Sequence, residues 1–93
     1  MSEAAKPTVF VDNERVRVTE WRFAPGAATG WHRHEFNYVV VPITDGTLLL
    51  RTPEGDREAP LKLGVPYYRD AGVEHDVING GTAELAFIEV EMK

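Results

Sequence analysis

The sequence predicts an all-β domain, a sandwich or a barrel, and three features of the chain favour this fold class. Glycine and proline interrupt the chain about every eight to twelve residues, which is the usual spacing of turns in such domains. The runs between these turns are rich in Val, Leu, Ile, Thr and aromatic residues, which strands favour. A helix is disfavoured because long stretches without Gly or Pro, such as residues 12–24 and 31–41, are dense in β-branched and aromatic side chains.

The Gly and Pro residues divide the chain into about eight predicted strands. An Asp-Gly turn at residues 44–47 is typical of a hairpin that joins the strands on either side of it. A second turn is expected at residues 53–56. The predicted strands are 9–11, 15–23, 31–43, 47–51, 59–63, 67–68, 74–78 and 83–91.

The length of 93 residues suits one domain. We expect residues 1–7 to form a flexible N-terminal tail and residues 8–93 to form a single barrel domain. A domain of this size buries about 60–70% of the surface of its unfolded chain, so its core is thin and association with a second copy would stabilise it. We therefore expect a homodimer.

Charge and composition exclude several classes of partner and site. Ten Lys and Arg against fifteen Asp and Glu give a net charge of −5, which disfavours binding to nucleic acid or to an anionic membrane. The chain has no cysteine, so any metal site must use nitrogen and oxygen ligands. The polar N-terminal segment lacks the apolar run of a secretory signal, and no segment is long enough to span a membrane. We expect a cytoplasmic protein.

The three histidines of the chain lie in two short segments. His32 and His34 share one face of a strand with Tyr38, because side chains alternate between the two faces of a strand. Two imidazoles on one strand hold a metal weakly, so a third ligand must come from another strand, and His75 is the remaining histidine. Three neutral imidazoles suit Zn, Cu, Fe or Ni and leave positions open for water or substrate.

The spacing of these residues resembles the two motifs of the cupin superfamily. The first motif is matched by Gly26, His32, His34 and Gly46, although the last gap is one residue longer when it is counted from Tyr38. The second motif is matched by Gly64, Gly72, His75 and Asn79, with Asp70 where proline is usual. The resemblance covers roughly residues 20–90, and the whole sequence is similar to small cupins associated with β-alanine degradation. It implies a small jelly-roll barrel, also called a double-stranded β-helix, with a metal inside its mouth.

One family ligand is absent from the first motif. Tyr38 stands where cupins carry a glutamate, and alternation sends Glu35 and Asn37 to the opposite face. We therefore predict that His32, His34 and His75 alone hold one divalent transition metal ion, Fe, Ni, Mn, Zn or Cu. This set resembles the three-histidine iron sites of thiol dioxygenases and of some diketone-cleaving cupins, and the loss of a negative charge should favour a small anionic metabolite as the ligand.

Three further residues have candidate roles. Tyr38 is the candidate catalytic residue, as a hydrogen-bond donor to the bound ligand; a weak fourth metal ligand and simple packing are its alternatives. Asn79 either fixes the orientation of a metal ligand, as the resemblance implies, or holds the turn before Gly80 and Gly81. Arg69 is the best candidate for gripping a substrate carboxylate, against a solvated surface charge.

The sequence leaves three functions open. The first is a metal-dependent enzyme, with dioxygenase-type or other metal-assisted chemistry on a small anionic metabolite. The second is a non-catalytic module that binds a small molecule or metal, which the lack of an evident general base favours. The third is a structural domain whose histidines hold nothing.

Overall fold

The computed structural model describes residues 3–93 and contains nine strands within them. The strands are β1 (Lys6–Asp12), β2 (Val16–Phe23), β3 (His32–Arg33), β4 (Asn37–Pro42), β5 (Gly46–Thr52), β6 (Gly55–Leu61), β7 (Tyr67–Arg69), β8 (Glu74–Ile78) and β9 (Leu85–Met92).

The strands form two sheets, in which all pairs of strands are antiparallel. One sheet has the order β1-β2-β9-β4-β7 and the other the order β3-β8-β5-β6. The predicted all-β jelly-roll barrel is therefore confirmed. Its core contains buried side chains from both sheets, among them Phe23, Val40 and Phe87 from the first sheet and Leu48 and Val77 from the second.

The predicted turn after β5 is confirmed as a tight hairpin. Thr52 pairs with Gly55, so that β5 and β6 are joined by Pro53 and Glu54 alone. The hydroxyl of Thr52 donates to the carbonyl of Gly55 at 2.6 Å and accepts the backbone N–H of Glu54 at 3.2 Å. These bonds use polar groups that a two-residue turn cannot pair within the strand ladder.

The Asp-Gly turn at residues 44–47 does not form the predicted hairpin. β4 is already paired on both edges, with β9 and with β7, so it has no free edge to offer β5. The turn instead carries the chain across to the second sheet, where β5 pairs with β6 and β8. The carboxylate of Asp45 accepts the backbone N–H of Leu63 at 2.9 Å and so ties this corner to the chain after β6.

The long strand predicted over residues 31–43 is two strands. β3 ends at Arg33 and pairs with β8 in the second sheet, whereas β4 begins at Asn37 and pairs with β7 and β9 in the first. The three residues between them carry the chain from one sheet to the other. The bend keeps His32, His34 and Tyr38 on the inside of the barrel.

The N-terminal segment joins the first sheet earlier than the sequence suggested. β1 begins at Lys6, Ala5 is buried, and Ala28 bonds to both Glu3 and Ala5 through backbone groups at 2.9 Å. Residues 3–7, which were expected in a flexible tail, are therefore paired with the barrel. The remainder of that predicted tail, residues 1 and 2, lies outside the described residues. No helix within residues 3–93 is long and apolar enough to cross a membrane.

Candidate metal centre and its cavity

The histidines converge because the register of two strands places them side by side. β3 pairs with β8 so that His32 lies directly opposite His75. His34 follows the end of β3 and is tied to the turn before β8, since its N–H donates to the carbonyl of Val73 at 2.9 Å and its carbonyl accepts the N–H of Gly72 at 2.8 Å. That turn needs a φ of 93° at Gly72, which explains the glycine of the second motif.

Each of the three imidazole rings points its Nε2 atom towards the other two rings. The Nε2 atom of His34 lies 3.0 Å from that of His32 and 3.1 Å from that of His75. Nitrogens held about 2.0–2.1 Å from one ion, with neighbouring bonds at right angles, lie about 3 Å apart. One nitrogen carries either a proton or a lone pair, so His34 Nε2 cannot donate to one neighbour and accept from the other. The spacing therefore fits three ligands of one metal ion.

His32 has the tautomer that a metal requires at Nε2. Its Nδ1 lies 2.9 Å from the carbonyl oxygen of Gly30, which can only accept, so the proton is on Nδ1. The hydroxyl of Thr29 donates to the same carbonyl at 2.9 Å and accepts the N–H of Val77, which holds this loop against β8. The lone pair of His32 Nε2 consequently points to the other histidines, as in metal-bound imidazoles whose second nitrogen is hydrogen-bonded.

The other two histidines are kept neutral by their surroundings. Burial lowers the pKa of His34 to about 4, with a smaller contribution from His32. Burial, followed by His32, His34 and Arg69, lowers the pKa of His75 to about 3. Both side chains therefore present lone pairs rather than positive charges at neutral pH, which is the state that binds a metal ion.

Tyr38 packs directly on this cluster. Its ring stacks on that of His34 with the centroids 4.0 Å apart and the planes 19° from parallel. The residue is 2% exposed, and burial, with Glu89 and Glu91 nearby, raises its pKa well above its usual range. Tyr38 therefore remains a neutral phenol, able to donate one hydrogen bond and to accept others.

Two carboxyl groups that were not predicted from the sequence lie in the same cavity. Glu89 and Glu91 of β9 are both buried, and one carboxylate oxygen of each lies within 4.8 Å of a ring nitrogen of His34. Glu91 is clamped by Arg17, whose Nε and NH2 groups donate to its two oxygens at 2.8 and 3.0 Å. The cavity therefore contains carboxyl groups although the first motif lacks its glutamate.

The pKa of one of these carboxyl groups, that of Glu89, is shifted well above its usual value. Burial, and after it the neighbouring Glu91, raises the pKa of Glu89 to about 7, and Arg17 and Trp21 offset part of this rise. The alternation of side chains along β9 carried a signal for this pair, since Glu89 and Glu91 lie on the same face of the strand as the apolar Leu85 and Phe87. The apolar residues between them obscured that signal.

The cavity containing these groups is small, and both polar and apolar side chains line it. Its volume is about 310 Å³, which lies at the lower end of the range for small-molecule sites. Arg69 also lines the cavity, with its guanidinium 4.6 Å from the centre of the Tyr67 ring and one N–H donated to the carbonyl of Tyr68. The other lining residues are mainly apolar and include Trp21, Val40, Leu48, Leu50, Val77 and Phe87.

The side-chain hydrogen bonds of Asn79 are made to the backbone of other residues and not to the histidines. Its side-chain amide donates to the carbonyls of Phe23 at 3.0 Å and Ala83 at 2.8 Å, and its side-chain oxygen accepts the N–H of Gly81 at 3.0 Å. It is fully buried and fastens the turn between β8 and β9 to the end of β2. These contacts correspond to the turn-holding alternative rather than to a residue that orients a metal ligand.

Comparison with known proteins extends these observations. The chain is 67% identical over 89 residues to the β-alanine degradation protein BauB of Pseudomonas aeruginosa, covering 96% of this chain and 94% of that protein. It is 28% identical over 69 residues to an oxalate-binding protein of Thermotoga maritima, covering 74% of this chain but 55% of that protein.

The fold has a near match among solved structures. The crystal structure of a cupin domain from Bordetella pertussis superimposes with a TM-score of 0.98 at 58% identity, covering 100% of this chain and 97% of that one. The cupin domain family matches residues 19–91, which include both halves of the histidine cluster. With the jelly-roll topology and the two histidine motifs in place, the chain belongs to the cupin family.

Proposed function

We propose that this cupin binds one divalent transition metal ion through His32, His34 and His75 and presents it to a small anionic metabolite. The observation that carries the proposal is the convergence of three Nε2 atoms at 3.0 and 3.1 Å inside a cavity of small-molecule size. When bound, the metal would act as a Lewis acid that polarises its ligand. Fe, Ni, Mn, Zn and Cu all accept imidazole ligands, so the donor set leaves the choice among them open.

The residues around the cluster have complementary roles in this proposal. Arg69 has N–H groups beyond the one donated to Tyr68 and would bind a carboxylate of the ligand. Tyr38 would donate a hydrogen bond from its phenolic hydroxyl to the ligand, because its raised pKa keeps the proton on the phenolic oxygen. The apolar walls would exclude water and strengthen both contacts.

The relatives support a role in the metabolism of small carboxylates. One is named for β-alanine degradation, and the other for binding oxalate, a small dianion. The first name, which refers to degradation, is compatible with an enzyme, and metal-assisted chemistry of the dioxygenase type is our hypothesis for such an enzyme. The second favours the alternative function, a module that binds its ligand without transforming it. A cytoplasmic location stays a prediction from the sequence.

The metal assignment is tested by elemental analysis. Protein purified without a histidine tag should contain about one transition metal ion per chain, and the His75→Ala variant should lose most of it, since two ligands bind weakly. Glu74→Gln is the matched control, because Glu74 is exposed on the same strand and should leave the metal content unchanged. A His75→Ala protein with full metal content would refute the ligand assignment.

A panel of short carboxylates separates the two functions. Metal-loaded protein that consumes oxygen or transforms one of them is an enzyme, whereas saturable binding without turnover supports the binding module. Loss of binding on removal of the metal is expected in both cases, because the ion is the proposed contact of the ligand.

We also propose that the protein is a homodimer. The outward face of the five-stranded sheet carries apolar side chains on several adjacent strands, including Val39, Val90 and the exposed Val11, Tyr68 and Met92. A second copy would cover them. Sedimentation should give twice the chain mass for the wild type and a smaller mass for Val90→Asp, and a monomeric wild type would refute the proposal.

A further inference from the structure

A second cavity of about 590 Å³, the outer groove, adjoins the one that contains the histidines. It is lined by the hairpin of β5 and β6, by Arg69 of β7 and by the turn that leads into β8. Leu50, Arg69 and His75 line both cavities, so the outer groove begins beside the proposed metal centre. A ligand bound at the metal therefore has room to extend into the groove.

The edge strands of both sheets contribute an arginine to the outer groove. β6 is at the edge of one sheet and β7 at the edge of the other, and these two strands are not paired with each other within residues 3–93. Arg57 lies on β6 and Arg69 on β7, and both line the groove. An anionic group in the groove would therefore be within reach of an arginine from each sheet.

Strand register directs both arginine side chains to the inner face of the barrel. Arg57 pairs directly with Leu50, and directly paired residues on antiparallel strands point to the same face. Leu50 lines both cavities, and Ala59, two residues after Arg57 on β6, is buried. Arg69 pairs in the same way with the buried Tyr38. Arg57 is therefore a charged residue in a row of inward-facing side chains, and it is exposed because β6 has no neighbouring strand on one side.

The protein does not neutralise the positive charges of Arg57 and Arg69. Neither arginine forms an ion pair within residues 3–93. Three exposed glutamates, Glu54, Glu58 and Glu74, also line the groove. The first lies in the hairpin turn, and each of the other two precedes a buried residue on its strand, so alternation directs its carboxylate outward. The inward-facing charges of the groove are therefore both positive, and guanidinium groups favour a planar carboxylate.

We propose that Arg57, together with Arg69, binds the second carboxylate of a linear dicarboxylate whose first carboxylate contacts the metal. This inference rests on the proposed metal-dependent function, and it names Arg57 as a residue that determines the ligand class of the same site. Leu50 pairs with Val77 on one side and with Arg57 on the other, so the backbones of Val77 and Arg57 lie about 10 Å apart, two strand spacings. The arginine side chain covers part of this distance, and a ligand chain of a few carbon atoms covers the rest. Oxalate, whose two carboxylates are joined directly, is too short to contact both the metal and Arg57.

Calorimetric binding to zinc-loaded protein tests the inference, since zinc avoids redox turnover. The probes are butanedioate, pentanedioate and hexanedioate, each compared with the monocarboxylate of the same carbon number, and oxalate. Arg57→Gln should lower the affinity for the best-bound of the three longer dicarboxylates by about fivefold, because a charge-assisted contact in an exposed groove is lost. It should leave the affinities for the monocarboxylates and for oxalate unchanged. The advantage of the dicarboxylates in the wild type should shrink at high salt, which screens exposed charges.

Arg51→Gln is the matched control. Arg51 is an exposed arginine on β5, and it faces outward because it follows the inward-facing Leu50. This variant should retain the wild-type affinities for all probes. Equal losses of dicarboxylate affinity in Arg57→Gln and Arg51→Gln would assign the effect to net charge and overturn the inference.

The remaining outcomes separate this inference from the proposed function. If the wild type binds the dicarboxylates no more tightly than the monocarboxylates, the role of Arg57 is wrong, and metal-dependent binding of the monocarboxylates leaves the proposed function standing. If the protein takes up no zinc and binds none of the probes, the proposed function fails and the inference fails with it.

Discussion

Replacing Glu89 with glutamine should stabilise the metal-free protein in mildly alkaline solution. The pKa of Glu89 rises from 4.5 to about 7 in the folded protein, chiefly because the carboxyl group is buried. Each pKa unit corresponds to about 1.4 kcal/mol. Above pH 7 the ionised group therefore costs the folded state about 3 kcal/mol relative to the unfolded chain, and a neutral glutamine of similar shape removes that cost.

The difference in stability between the wild type and the Glu89→Gln variant should shrink as the pH falls. Between pH 7 and 4.5 the folded protein binds a proton at Glu89 that the unfolded chain does not, so the cost shrinks as the pH falls and disappears near 4.5. His34 and His75 act in the opposite direction, because below pH 6.5 the unfolded chain takes up protons that the folded protein refuses. That loss of stability is common to both proteins and cancels in their difference.

Urea unfolding of chelator-treated protein measures the difference. The Glu89→Gln variant should be about 2–3 kcal/mol more stable than the wild type at about pH 8, and the gap should close towards pH 4.5. Glu58→Gln, at an exposed position, should stay within about 0.5 kcal/mol of the wild type. Equal stabilities at pH 8, or a gap that widens on acidification, would refute the assignment of Glu89 as a buried carboxyl group whose pKa is raised by the folded protein.

Two further substitutions test the packing that supports the site. Leu48→Ala should lower the free energy of unfolding in urea by about 2–5 kcal/mol, because Leu48 is 2% exposed and lines the cavity. Leu63→Ala is the control, since Leu63 is 58% exposed, and it should cost about 0.5 kcal/mol or less. Similar losses for the two variants would contradict the assignment of Leu48 to the core. Gly46→Ala should cost about 1–3 kcal/mol, since Gly46 has a φ of 151° and a new Cβ would collide with the buried side chain of Leu85. Gly55→Ala, with a φ of 111° and open space around it, isolates the backbone strain and should cost less; the reverse order would show that the contact with Leu85 is unimportant.

Most of the strands could be predicted from local sequence because their signals are local. The strand over residues 74–78 was predicted with its observed bounds, and the turn at Pro53 and Glu54 follows from residue types that favour turns. The error at Asp45 and Gly46 has a different origin. A turn sequence specifies a reversal of the chain, but whether the flanking strands pair depends on which edges are already occupied, and β4 has none free.

The acidic side of the cavity was missed because the sequence of β9 carries two conflicting patterns: Leu85 and Phe87 favour burial of one face, and Ile88 and Val90 favour burial of the other. Ile88 and Val90 alternate with Glu89 and Glu91, and this part of the pattern favours burying the apolar pair. The structure buries the acids instead, because β2 and β4 flank β9 in a register that places Arg17 opposite Glu91. A cross-strand partner of this kind, 74 residues away in sequence, decides which face of the strand points inward.

The sequence by itself determined the all-β fold class and the three metal-ligand candidates, because alternation along a strand and motif spacing depend only on neighbouring residues. The tertiary structure decided which strands pair, that His32 lies opposite His75, and that Glu89 and Glu91 lie beside His34. These facts depend on register between distant segments. Register is set by the packing of the whole barrel, since a shift of one residue would turn every side chain of a strand to the opposite face.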